Sequence, residues 1–108
     1  MLRGNEIQQQ YSQVEAAIHQ AAQRCESTGS VPMDLKDSIQ RLEQQTSQAR
    51  DVILSQDENR IRQCIDDMEE IGDQAKAACE NAGQLDPQLR DAVMQAHQQL
   101  SNLKHQLH

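Results

Sequence analysis

Apolar residues return along the chain at alternating steps of four and three. Ile7, Tyr11, Val14, Ile18, Ala21 and Cys25 form a first stripe, and Leu35, Ile39, Leu42, Thr46, Ala49 and Ile53 a second. Ile61, Ile65, Met68, Gly72, Ala75 and Cys79 form a third, and Leu89, Val93, Ala96, Leu100, Leu103 and Leu107 a fourth. Such steps average about 3.5 residues, the period at which helices interlock their side chains along a left-handed seam. The pattern predicts an all-α chain of four helices, arranged as helix, turn, helix in each half.

The two halves are copies. Laying residues 5–54 over 59–108 without gaps gives 14 identities in 50 pairs. Among them are Glu15/Glu69, Ala21/Ala75, Cys25/Cys79, Gly29/Gly83, Leu35/Leu89 and Asp37/Asp91. A chain rich in Gln, Ala and Asp produces chance identities, but bias alone does not also match the glycine, the cysteine and the phase of the apolar stripe. A fixed repeat length is the mark of a duplicated structural unit. Residues 1–108 therefore read as one domain built from two repeats, 5–54 and 59–108.

Local signals punctuate the same scheme. Gly29 and Gly83 stand where a helix C-terminus takes a left-handed residue. Asp86 followed by Pro87 reads as an N-cap with proline at the first helical position, and Pro32 with Asp34 does similar work in the first half. Folding each hairpin antiparallel pairs residues into layers: Cys25/Leu35, Ala21/Ile39, Ile18/Leu42, Val14/Thr46, Tyr11/Ala49 and Ile7/Ile53, then Cys79/Leu89, Ala75/Val93, Gly72/Ala96, Met68/Leu100, Ile65/Leu103 and Ile61/Leu107. Small residues mostly oppose large ones, as interdigitation requires. Gly72 against Ala96 is the exception: either the backbones approach closely there or a neighbouring helix fills the gap, and close packing is expected rather than a ligand cavity.

The segment Ser55-Gln56-Asp57-Glu58-Asn59 decides the architecture. Ser55 with Glu58 matches a capping box, which predicts a turn and an antiparallel four-helix bundle. The segment has no Gly or Pro, and the seam resumes one residue late at Ile61. The alternative is one helix running from about 34 to 81, with the extra residue absorbed as a bulge. That molecule would be extended and dimeric.

Charge narrows the function classes. The chain carries 10 basic and 17 acidic residues, net −7. Residues 1–54 hold five bases and seven acids, residues 55–108 five bases and ten acids. Such a surface lacks the electrostatic attraction that drives nucleic-acid binding and disfavours anionic membranes, so neither is expected as a partner. A basic protein partner is favoured. Asp66, Glu69, Glu70 and Asp73 share one face of the third helix at i,i+3/i+4 spacing and form the candidate partner-binding face. A core with Tyr11 as its sole aromatic residue is thin, so self-association is also expected. No run of 18 apolar residues exists to span a bilayer, and the opening residues Met1 to Glu6 show no secretory signal. Three cysteines without a CxxC read as reduced thiols in the cytoplasm.

Candidate chemistry is sparse. His19, His97, His105, His108 and the three cysteines could ligate metal, but inward Glu-x-x-His pairs, HExxH and zinc-type spacings are missing. No metal or other cofactor is expected. Cys25 and Cys79 fall on the seam, where a thiol acts as a small hydrophobe, and their matched positions could bring them together. Neither His19 nor His97 is followed by the Lys and Gly that histidine phosphotransfer domains place after their histidine. The arrangement resembles, in architecture only, a single-chain form of the small plasmid copy-number regulators whose hairpins pair into a four-helix bundle. No motif carries over, and the acidity opposes their RNA binding. The expectation is a non-enzymatic helical protein–protein interaction module: an adaptor, small chaperone or regulatory subunit. The alternative is a histidine-based phosphotransfer or metal-binding bundle using His19 or His97.

Overall fold

Four helices form where the four stripes lie: α1 Gly4–Ser27, α2 Met33–Leu54, α3 Glu58–Asn81 and α4 Pro87–Leu107. The structure is a computed structural model and describes residues 4–108. The reading of the opening residues as free of a secretory signal falls partly on residues 1–3, outside those described. Both ends of α3 lie 54 residues beyond the matching ends of α1, and α4 begins 54 residues beyond α2. The helix boundaries thus recur at the interval of the internal repeat.

Every one of the 24 stripe residues is buried. Each helix packs on two neighbours, α1 on α2 and α4, and α3 on α2 and α4; among the described residues the backbones of neither diagonal pair come within 8 Å. This is an antiparallel up-down-up-down four-helix bundle, the arrangement that short connections between successive helices dictate. Its extents are 40 × 21 × 18 Å. The long axis matches one helix of 24 residues, which at about 1.5 Å per residue spans some 36 Å.

The connection between α2 and α3 is a turn, so the long continuous helix through residues 55–59 does not form. Its chemistry differs from the expected capping box. Asp57 is the N-cap of α3, and its carboxylate accepts from the backbone N–H groups of Asn59 and Arg60. Ser55 belongs to the end of α2 instead: its hydroxyl donates to the carbonyl of Val52 and accepts from the N–H of Asp57. Glu58 is already inside the helix. Gln56, with φ 61, supplies the left-handed residue that lets the chain reverse without glycine.

The other turns divide the work unequally. Gly83 adopts φ +73 at the end of α3, whereas Gly29 is not left-handed. In the first hairpin Thr28 closes α1 by sending both its N–H and its hydroxyl to the carbonyl of Arg24, at 3.1 and 2.7 Å. With that carbonyl satisfied locally, no left-handed cap is needed at Gly29. Asp86 caps α4 through the N–H of Leu89. The matching position in the first half is Pro32, which caps α2 without a side-chain hydrogen bond, and Asp34 lies inside α2 with its carboxylate accepting from the adjacent N–H of Leu35.

The core divides along its length. Cys25, Leu35, Cys79 and Leu89, with Ala21, Ile39, Ala75 and Val93, belong to one apolar cluster at the end carrying the two hairpin loops. The other four layers, from Ile18 to Ile7, belong to a second cluster toward the α2–α3 turn, apart from Thr46 and Gly72. Between them lies a small void lined by Ile18, Ala21, Ile39, Leu42, Gly72, Ala75, Val93, Ala96 and His97. Its first eight residues are the two layers that meet at the division. Four of them, Ala21, Gly72, Ala75 and Ala96, have little or no side chain to fill the space. About 10 Å³ remains, at the threshold for one water molecule, and the lining offers a single polar side chain.

No described helix is long and apolar enough to cross a membrane.

Candidate functional site

The acidic face singled out on α3 lies along the edge where α3 meets α4. There it faces the basic residues of the antiparallel neighbour. Asp66 accepts from Nε2 of His108 at 2.9 and 3.1 Å. Glu69 receives Nζ of Lys104 at 3.4 Å. Oδ1 of Asp73 lies 2.5 Å from Nε2 of His97. Of the four candidate residues only Glu70 has no ion-pair partner among the described residues, and its exposed neighbour Asp67 has none either.

Glu69 is the residue that position has changed most. It is only 9% exposed, with the ammonium of Lys104 3.4 Å from its carboxylate. A carboxylate so shielded is costly without a partner, which the ammonium of Lys104 supplies. His97 has a side chain 16% exposed, and Asp73 one 58% exposed. One oxygen of Glu69, one of Asp73 and one nitrogen of His97 all lie within 4.8 Å of one another.

His97 packs against α3 beside Gly72. A methyl group built there would sit 3.7 Å from Cδ2 of His97, 3.9 Å from its Cα and 3.3 Å from Cδ1 of Leu100. The two His97 distances are ordinary contacts, and only the flexible end of Leu100 would have to give by a few tenths of an ångström. The imidazole lies across the gap, lining the void on one face and reaching Asp73 with its outer nitrogen. The close approach inferred for the Gly72/Ala96 layer is present, together with the small void.

The first hairpin carries an altered copy of this edge. Glu15, the counterpart of Glu69, pairs with Arg50, the counterpart of Lys104. Both pairs are separated by 35 residues, as a duplicated hairpin requires. His19 stands where α3 has Asp73, and Glu43 where α4 has His97, so the imidazole has changed helix. His19 lies 3.5 Å from Glu15 on its own helix, with its side chain 46% exposed. No three-donor group converges there among the described residues.

The thiols are inert by environment. Burial pushes Cys25 up from its ordinary pKa and pushes Cys79 to about 11, against weaker opposing pulls from Lys36 and Arg90 respectively. Burial, reinforced by Asp67, also raises Cys64. A thiolate is the reactive form, so all three are poor nucleophiles near neutrality. Cys25 and Cys79 share one apolar cluster as free thiols.

Sequence reasoning placed the acidic stripe on one helix face but missed His97 and Lys104 as its neighbours. The signal was present in the hairpin register. Layers in the second half join residues whose numbers sum to about 168, and flanking residues with slightly larger sums, such as Asp73 and His97, meet beside the seam. The stripe was read along one helix instead of across two.

Compared with known family models, curated proteins and solved structures, the chain matches none.

Proposed function

We propose that the protein is a non-enzymatic helical module that binds another protein, in the manner of an adaptor, small chaperone or regulatory subunit. The observation that carries the reading is the uneven acidity of a closed bundle. Three of the four carboxylates on the α3 stripe are engaged by α4, while Asp67 and Glu70 remain exposed beside them without cationic partners among the described residues. An excess of exposed acid favours a basic protein surface and steers its approach. The lack of attraction for phosphate backbones and anionic lipid argues against nucleic acid and membrane as partners. Self-association belongs to the same reading, supported by Met33 and Leu54 at the two ends of α2, 73% and 59% exposed. Free thiols support a cytoplasmic setting.

The test is affinity capture with the full chain, alongside its double variant Asp67→Lys/Glu70→Lys, at low and high salt. The expected result is a basic partner retained by the parent chain, lost from the variant and weakened by salt, because exposed charges are screened over about 8–10 Å at ordinary ionic strength. Sedimentation equilibrium reports self-association in the same preparation. A strict monomer that retains no partner at either salt concentration refutes the reading.

A further inference from the structure

The geometry points to a divalent-cation site of the zinc class formed by Glu69, Asp73 and His97. This inference is independent of the partner reading, which rests on Asp67 and Glu70. Two carboxylates four residues apart on α3 lie on one face, and an imidazole from α4 closes the third corner, all within 4.8 Å. Zinc takes His nitrogen and carboxylate oxygen at about 2.0–2.2 Å and, with three protein donors, keeps a fourth position for water. These donors already lie together, with Nε2 of His97 2.5 Å from Oδ1 of Asp73.

Three further features separate this set from an ordinary surface ion pair. Its inner donors are shielded, Glu69 being 9% exposed and the His97 side chain 16%, so a bound cation would be poorly screened by water. The ring of His97 packs against α3 beside Gly72, its Cδ2 3.7 Å from where a Cβ would stand. The site also carries two carboxylates against one fixed cation, Lys104, whose contact with Glu69 is long at 3.4 Å and whose side chain is 41% exposed. A metal ion would take the place of that ammonium, which is free to swing into solvent. In the first hairpin the equivalent carboxylate, Glu15, is held by the guanidinium of Arg50, and His19 and Glu43 have exchanged helices. The first repeat therefore serves as the internal control.

The experiment is calorimetric titration of zinc chloride into the full chain, with circular dichroism to verify that each variant keeps the fold. Saturable binding at one site is expected. His97→Ala and, as the milder change at an exposed position, Asp73→Asn should each weaken it by at least about tenfold, since even groups behind metal ligands are worth that much. Lys104→Ala should tighten binding by removing the competing cation, whereas Glu15→Gln and the double variant His105→Ala/His108→Ala should leave it unchanged. Cobalt(II) in place of zinc should give a visible absorption band that disappears in His97→Ala. Absence of saturable binding, affinity unchanged in His97→Ala, or weaker binding in Lys104→Ala would each overturn the assignment.

Discussion

Replacing Tyr11 by Phe removes one atom from the core and isolates one interhelical hydrogen bond. Tyr11 is 3% exposed on α1, and its hydroxyl donates to the main-chain carbonyl of Thr46 on α2 at 2.9 Å. Because Thr46 lies within α2, its carbonyl also takes part in the helical ladder and is not orphaned by the change. The cost is therefore that of a single net hydrogen bond, about 1 kcal/mol, with no large cavity term. For a domain of this size that corresponds to a fall in Tm of about 4 °C. Far-ultraviolet circular dichroism with urea measures it directly, since Tyr11 is the only aromatic residue and its fluorescence is absent from the variant.

The same residue predicts a pH dependence with a definite sign. Burial first, then the negative Glu15 and Cys64, hold the phenol well above its ordinary value of 10, against a weaker opposing pull from Arg50. In the unfolded chain it ionises near 10. Above that pH the unfolded state therefore binds fewer protons than the folded one, and stability falls as pH rises. The contribution of the neutral, buried phenol is complete below about 10 and is lost in alkali. Tyr11→Phe removes this share of the alkaline decline and leaves the shares of the three thiols, which have the same sign. Tyrosinate absorbance should appear only together with unfolding. Phenol ionisation near pH 10 in a chain that keeps its helical signal, or a Phe variant equal to the parent in urea, would refute the reasoning.

Two further changes test the turns by urea denaturation. Gln56→Gly should stabilise by roughly 0.5–1 kcal/mol, because a left-handed non-glycine residue costs about 1–2 kcal/mol and glycine returns part of that as unfolded-chain entropy. Gly83→Ala should destabilise by a comparable amount, and equal effects of one sign at both positions would contradict the assignment of their backbone angles. Asp57→Ala should cost about 1 kcal/mol through loss of the α3 cap, whereas Glu58→Ala should be nearly neutral; the reverse order would restore the Ser55–Glu58 capping box.

The four helices and their inward faces were legible in the sequence because a helix repeats every few residues and each stripe residue reports on its own burial. The duplication sharpened this reading: two copies in the same phase fix four seams, and short connections leave the antiparallel bundle as the way to bury them. Other features depended on groups that only the fold brings together. Which residue capped α3 was a contest among Ser55, Asp57 and Glu58, decided by the path of the chain through Gln56. Whether Gly29 turned left-handed depended on Thr28 reaching the carbonyl of Arg24.

The polar edge shows the boundary between the two kinds of information most plainly. Periodicity placed Asp66, Glu69, Glu70 and Asp73 on one face of α3, a matter of spacing within a single helix. The pairing of Asp66, Glu69 and Asp73 with His108, Lys104 and His97 was set by the distance and register between α3 and α4. Spacing along a helix is covalent and can be counted from the chain. Contact across helices depends on how side chains of unequal size fill the layers between them, and that only the packed bundle decides.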